Sequence, residues 1–178
     1  MTYRMYSMVL RQLSPMQKGI QALHAVVEYG YKYNHCIDYD QWVREDKTMI
    51  VLDGGTSLEL ADVINFLDEN NYPYTSFREP DLYNQVTAIA FLAPDTIWDR
   101  ETYLDYNDYY KKIMIDNLNQ FSNGNINQEI TRQNIASMAF GKIASESHWS
   151  QTVFGTSLDE ANKTIAMRNL IYSKKLSQ

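Results

Sequence analysis

At three expected helix starts the chain sets a Ser or Thr three residues ahead of a Gln or Glu: Ser14/Gln17, Thr56/Glu59 and Ser157/Glu160. In such a pair the first side chain bonds the backbone amide of the second residue, and the second side chain returns the bond, so each pair fixes where a helix begins. Pro15 strengthens the first of them, because its locked φ suits the opening helical position. The segments between these starts have little freedom left. Tyr3–Arg11 (YRMYSMVLR) mixes β-branched, aromatic and methionine residues and suits a strand entering the core. The helix opened at Ser14 is expected to run to about Tyr33, with Met16, Ile20, Leu23 and Val27, spaced four, three and four apart, as its buried stripe. A short helical turn is expected at Asp40–Arg44, and Thr48–Asp53 (TMIVLD) is an apolar run of strand length that Gly54 and Gly55 stop.

The helix opened at Thr56 turns Leu60, Val63, Ile64 and Leu67 inward and ends at Asn70 and Asn71. Tyr74–Arg78 and Val86–Leu92 (VTAIAFL) then read as a third and a fourth strand. The order β-α-β-α-β-β specifies an α/β sandwich of two or three layers built on a mixed four-stranded sheet. Beyond Pro94 the pattern turns helical. It runs through Leu104, Tyr110, Ile113 and Leu118, then from about Asn127 to Ser145 through Ile130, Ile135, Met138 and Ile143, and finally from Ser157 through Ile165 and Leu170. The expected organisation is an α/β domain at 1–95 and a mainly helical extension at 96–178 packed on it.

The net charge of -6 is placed unevenly: residues 1–100 hold 8 Lys/Arg against 14 Asp/Glu, whereas 101–178 hold 8 of each. Large nucleic acids are met by positive surfaces, so the bulk field disfavours such a partner, although a local basic patch survives inside an acidic domain. No apolar run approaches the roughly 20 residues of a membrane span, and the first residues, interrupted by Arg4, do not read as a secretory signal. The single cysteine, Cys36, excludes an internal disulfide and fits a reducing compartment, so a cytoplasmic protein is expected. No phosphate-cradling loop, nucleophile elbow or paired-histidine zinc motif is present. His24, His35 and His148 stand far apart, and the sequence therefore gives no reason to expect a metal or a cofactor.

Two stretches carry chemistry. Arg11, Met16, Lys18, Gly19, Gln21, His24 and Ala25 form one strand-turn-helix unit, and Phe77–Phe91 (FREPDLYNQVTAIAF) forms a loop and the strand after it. Together they resemble the second class of peptidyl-tRNA hydrolases, whose first helix bears M-x-x-G-K-x-A-A-Q-x-x-H-A and whose later loop and strand read D-A-G-x-T and T-V-L-G-I. The likeness covers residues 3–93. It implies a mixed four-stranded sheet flanked by helices, and cleavage of the ester that joins a peptide to the terminal ribose of tRNA. It also implies a lysine at the first helix start, an acid in the loop and a threonine on the last strand, meeting in one cleft.

Gln21 and His24 match that pattern directly, while Lys18 matches after a shift of one residue, Gln17 occupying the strict position. Thr87 fits the strand. Glu79 and Asp81 both fit the acidic role, because D-A-G has become E-P-D. Lys18, Glu79, Asp81 and Thr87 are thus the candidate catalytic residues, and Gln17, Gln21, His24 and Arg78 the candidate ligand-binding ones. A lysine near a helix N-terminus adds charge to outward-pointing amides and suits a phosphate or a developing oxyanion.

Each residue also has a structural use: Gln17 as a cap, Gln21 as a bond to a loop, Arg78 as cover for the sheet edge, Asp81 and Glu79 as turn formers beside Pro80. Tyr103, Tyr106, Tyr109 and Tyr110 lie at helical spacing, where tyrosines stack bases or pack a core. Three functions follow. The first is a hydrolase of peptidyl-tRNA or a related RNA-linked ester. The second is the same fold binding, sequestering or cleaving a small nucleotide signal, as an anti-defence protein of phage type would. The third is a non-catalytic interaction module, whose partner is another protein or a second copy in a homodimer.

Overall fold

The computed structural model of the chain describes residues 1–122 and 142–176. It divides into two compact units, Met1–Trp98 with Arg168–Gln178, and Asp99–Met167.

The first unit is α/β. Strand β1 (Tyr3–Leu10) leads into α1 (Pro15–Tyr33), a short helix α2 (Ile37–Gln41) continued by a wide turn at Trp42–Asp46, and β2 (Met49–Gly55). Helix α3 (Ser57–Glu69), β3 (Tyr74–Glu79), a tight turn at Pro80–Leu82, β4 (Gln85–Pro94) and α4 (Asp95–Trp98) follow. The expected capping boxes at Ser14 and Thr56 are both formed reciprocally. The four strands make an open mixed sheet in the order β2-β1-β4-β3, with β1 parallel to β2 and antiparallel to β4, and β3 antiparallel to β4. That order explains the layering. The β1-α1-β2 and β2-α3-β3 crossovers step across the sheet in opposite directions, so right-handed connections put α1 and α3 on opposite faces.

Under α1 lie Tyr3, Met5, Val9, Ala88, Ala90 and Leu92 of the sheet, packed on Ala22, Ala25, Val26 and Tyr29 of the helix. On α3 the buried residues are Leu60, Val63 and Leu67, as expected, while Ile64 is half-buried. The expected burial of α1 is overturned: Met16, Ile20, Leu23 and Val27 are exposed, and the helix instead turns Gln21, Ala22, Ala25, Val26 and Tyr29 to the sheet. Both faces of α1 are apolar, and the small one wins because Ala88 and Ala90 let a helix of alanines sit close over β4.

Residues 168–176 complete this unit. In α7 (Leu158–Ser173), the buried Arg168 donates from Nε to the Ile97 carbonyl (2.8 Å) and from Nη2 to that of Thr96 (2.7 Å), and the Tyr172 hydroxyl donates to Trp98 (2.9 Å). The last carbonyls of α4, which have no partner within their own helix, are satisfied this way. Beyond α7, Leu176 bridges antiparallel to Leu52, and the Asp53 amide donates to the Lys175 carbonyl at 2.8 Å, along the outer edge of β2.

In the second unit, α5 (Tyr106–Ser122) and α6 (Lys142–Trp149) precede a wide turn at Ser150–Phe154 that ends at Gly155, φ +67°. Buried Trp149 donates its indole N–H to the Leu104 carbonyl (2.9 Å) and meets the rings of Tyr106 and Phe154 edge-on, with Tyr103 stacked on Phe154. Tyr103 and Tyr106 thus pack within this unit's aromatic cluster. The Ser157 hydroxyl caps the Glu160 amide at 3.3 Å, at the start expected for α7. Most of the helix expected at Asn127–Ser145 lies outside the described residues, which resume at Lys142. No helix among the described residues is long and apolar enough to cross a membrane.

Candidate functional site

The chemistry-bearing side chains gather where β1 and β2 end and β4 begins, the end of the sheet from which α1 and α3 start. Its centre is a three-residue relay. The buried Thr87 hydroxyl donates to Gln21 Oε1 at 2.5 Å, and Gln21 Nε2 donates to Glu79 Oε2 at 2.5 Å. Phe77 and Glu79 point to the α1 face of β3, where Phe77 stacks against His24 (ring centroids 4.4 Å apart, interplanar angle 16°) and Glu79 meets Gln21.

Thr87 reaches that face through a β-bulge. Pairing runs Phe77 to Ala88 and then Arg78 to Val86, so Thr87 has no residue opposite it. Strict alternation would send Thr87 away from the side taken by Ala88 and Ala90. The bulge turns it to the same side, the kind of re-aiming for which bulges are used.

Of the two candidate acids, Glu79 is therefore the one joined to Gln21 and Thr87. Asp81 is exposed in the turn beyond. That turn is tight: the Asn84 amide donates to the Glu79 carbonyl at 3.1 Å, and both Tyr83 (φ +54°) and Asn84 (φ +57°) adopt left-handed backbone, uncommon for non-glycine residues. Tyr83 is fully exposed at its tip. Arg78 points to the opposite face of the sheet, donates to the Asn84 carbonyl (3.2 Å), and lines a hollow of about 320 Å³ with Ser57, Ala61, Ile64, Asn65 and Val86. Gln17 is held in the first capping box, its Oε1 accepting from the Ser14 amide and hydroxyl.

A second polar group, not anticipated from the sequence, occupies the ends of β1 and β2. Arg11 Nε lies 2.8 Å from Asp53 Oδ2, and its Nη2 lies 3.8 Å from Glu59 Oε1. These three residues line a hollow of about 330 Å³ with Ser173, Lys174 and Lys175. Partial burial opposes ionisation of Asp53, but hydrogen bonds from Arg11 and the Gly55 amide, with the charges of Arg11 and Lys18, outweigh it and hold the carboxyl below its ordinary range. Lys18 thus acts electrostatically on Asp53. The local signal was an arginine closing one strand and an aspartate closing its neighbour, but only the parallel β1–β2 register brings them together.

Chemically, the relay ties a carboxylate to a buried hydroxyl through the amide of Gln21, at the lip of an α/β sheet. Such a set suits holding and deprotonating a water molecule. Comparison with protein-family models and with curated proteins finds no match for the chain.

Proposed function

We propose that the first unit is a metal-independent hydrolase of the kind found in the second class of peptidyl-tRNA hydrolases, acting on peptidyl-tRNA or a related RNA-linked ester in the cytoplasm. The observation that carries this reading is the Thr87–Gln21–Glu79 relay, which links three of the positions at which the chain resembles that class. Glu79 takes a proton from a water whose oxygen adds to the ester carbonyl. The bond to the ribose oxygen then breaks, and the proton passes from Glu79 to that leaving oxygen. Gln21 and Thr87 hold the carboxylate in place, and Lys18 supplies positive charge near the amino end of α1. No covalent enzyme intermediate is required.

Incubation with peptidyl-tRNA, followed by release of free tRNA, tests this. Wild type turns over, Glu79→Gln loses roughly a hundredfold or more of kcat, and Asp81→Asn retains activity. Absence of wild-type turnover, or full activity in Glu79→Gln, refutes the proposal.

A second reading, capture of a small nucleotide, rests on the hollow at the ends of β1 and β2. Arg11, Lys174 and Lys175 there outnumber Asp53 and Glu59 within an acidic protein. A thermal-shift panel of mono- and dinucleotides distinguishes it, since a ligand at 100 times its Kd adds about 2.7 kcal/mol of stability.

A further inference from the structure

The hollow at the ends of β1 and β2 is lined by two sets of residues that lie far apart in sequence. Arg11, Asp53 and Glu59 come from the strand ends and the first turn of α3, whereas Ser173, Lys174 and Lys175 come from the segment that returns at the end of α7. The two carboxylates find partners within the first set. Asp53 accepts from Arg11 Nε and from the Gly55 amide, each at 2.8 Å, and Glu59 accepts from the Thr56 amide at 2.7 Å. Hydrogen bonds from Thr56 are the main reason the Glu59 carboxyl lies below its ordinary range, and the charges of Arg11 and Lys174 add to it. Neither lysine forms an ion pair with a carboxylate among the described residues. The backbone that carries them is nevertheless fixed against β2, through the 2.8 Å bond from the Asp53 amide to the Lys175 carbonyl and the bridge from Leu176 to Leu52. Two positive charges are thus held at a hollow of about 330 Å³ with no carboxylate bound to either.

We propose that this hollow takes the terminal phosphate monoester of a small nucleotide, held between Arg11 and the two lysines, in preference to an internal phosphodiester. The inference rests on the nucleotide reading above and narrows its ligand. A monoester carries a charge of about -1.5 to -2 at neutral pH, whereas a diester carries a single negative charge. Two unmatched lysines favour the more highly charged group. Ammonium groups attract phosphate as point charges, and a guanidinium adds directed N–H donors. Because Arg11 follows β1 while the lysines belong to the returning segment, a ligand bound to both ties that segment to the sheet.

Titration calorimetry of the full chain reads the preference directly. The common ribonucleoside monophosphates are compared, each beside its own cyclic diester, with pyrophosphate as a probe that has no base. At least one monophosphate is expected to bind about tenfold more tightly than its cyclic diester, and pyrophosphate to displace it. Lys174→Ala combined with Lys175→Ala is expected to weaken the monophosphate about tenfold and to remove most of the preference, while circular dichroism shows the fold retained. Hydrogen exchange at the Asp53 amide, whose acceptor is the Lys175 carbonyl, is expected to slow at saturating monophosphate. Equal affinity for a monophosphate and its cyclic diester, or wild-type affinity in the double lysine variant, overturns the inference and leaves the nucleotide reading standing. Binding of neither nucleotide form nor of pyrophosphate overturns both. Exchange at Asp53 that saturating monophosphate leaves unchanged overturns the tie between segment and sheet.

Discussion

Replacing Gln21 by Leu while keeping Thr87 leaves a buried hydroxyl with its acceptor gone and removes the amide that holds Glu79. The orphaned hydroxyl alone costs about 1–3 kcal/mol, and the lost charge-assisted bond to the half-buried Glu79 adds about 1, so the variant is expected to lose roughly 2–4 kcal/mol. Thr87→Val keeps the shape and removes the donor, leaving the buried Gln21 oxygen unpaired, at about 1–3 kcal/mol. The double variant removes both partners at once. Its remaining deficit is the bond to Glu79, so it is expected to lose only about 1–2 kcal/mol, less than the sum of the single losses by about 2–5 kcal/mol. Urea titrations of the four proteins measure this coupling, provided the slopes agree so that midpoint shifts are stability shifts. Additive losses, within about 0.5 kcal/mol, refute a shared relay.

Gly54→Ala is expected to destabilise by about 2 kcal/mol, because its Cβ would lie 2.5 Å from Leu60 Cδ2 and 2.9 Å from the Val9 carbonyl oxygen; a thermal melt within a degree of wild type contradicts the close approach. Arg168→Met is expected to lose about 2–4 kcal/mol by stranding the Thr96 and Ile97 carbonyls, and an unchanged urea midpoint argues against that clasp. Burial raises the Tyr3, Tyr6, Tyr29 and Tyr74 hydroxyls above the ordinary tyrosine pKa of 10.0, aided at Tyr3 and Tyr74 by bonds to Asp38 and Asp68. The native state therefore keeps these protons after the unfolded state begins to lose them, so stability is full below about pH 10 and falls above it; a flat profile of urea midpoint from about pH 8 to 11 counters this. At the acid end the sign reverses. Asp53 is held below its ordinary range, so its contribution is present above the unfolded carboxyl pKa and fades as pH falls through the folded one, a dependence that Asp53→Asn is expected to remove.

Helix starts were legible because capping is a conversation among four consecutive residues, and Ser14/Gln17 and Thr56/Glu59 behave as written. Strand positions were legible for a similar reason: runs such as VTAIAFL are bounded by turn residues. The burial of α1 was not. Periodicity reports that Met16, Ile20, Leu23 and Val27 share a face, but not which way that face points when the opposite side is lined with Ala22, Ala25, Val26 and Tyr29. Shape complementarity to the alanines of β4 decided it, and that belongs to the pair of elements. The site divides along the same line. Gln21, Glu79 and Thr87 were identifiable by residue type and order, but the choice of Glu79 over Asp81 depends on where β3 ends, and the turning of Thr87 toward Gln21 depends on a bulge, which exists only in the register between two strands. Arg11 and Asp53 come from neighbouring strands joined in parallel, a long-range pairing that no local pattern encodes.

The bridge between Leu52 and Leu176 has a bearing on how the protein is made. An exposed strand edge invites pairing with other chains. On the ribosome the four strands are complete once residue 94 has emerged, yet the outer side of β2 at Leu52 and Asp53 waits for residues 175 and 176. At about 5–20 residues per second, that leaves it open for roughly 4–16 s during each round of translation. A nascent chain with this topology passes through an interval in which the Leu52–Asp53 stretch of that edge lacks the pairing it has in the finished fold.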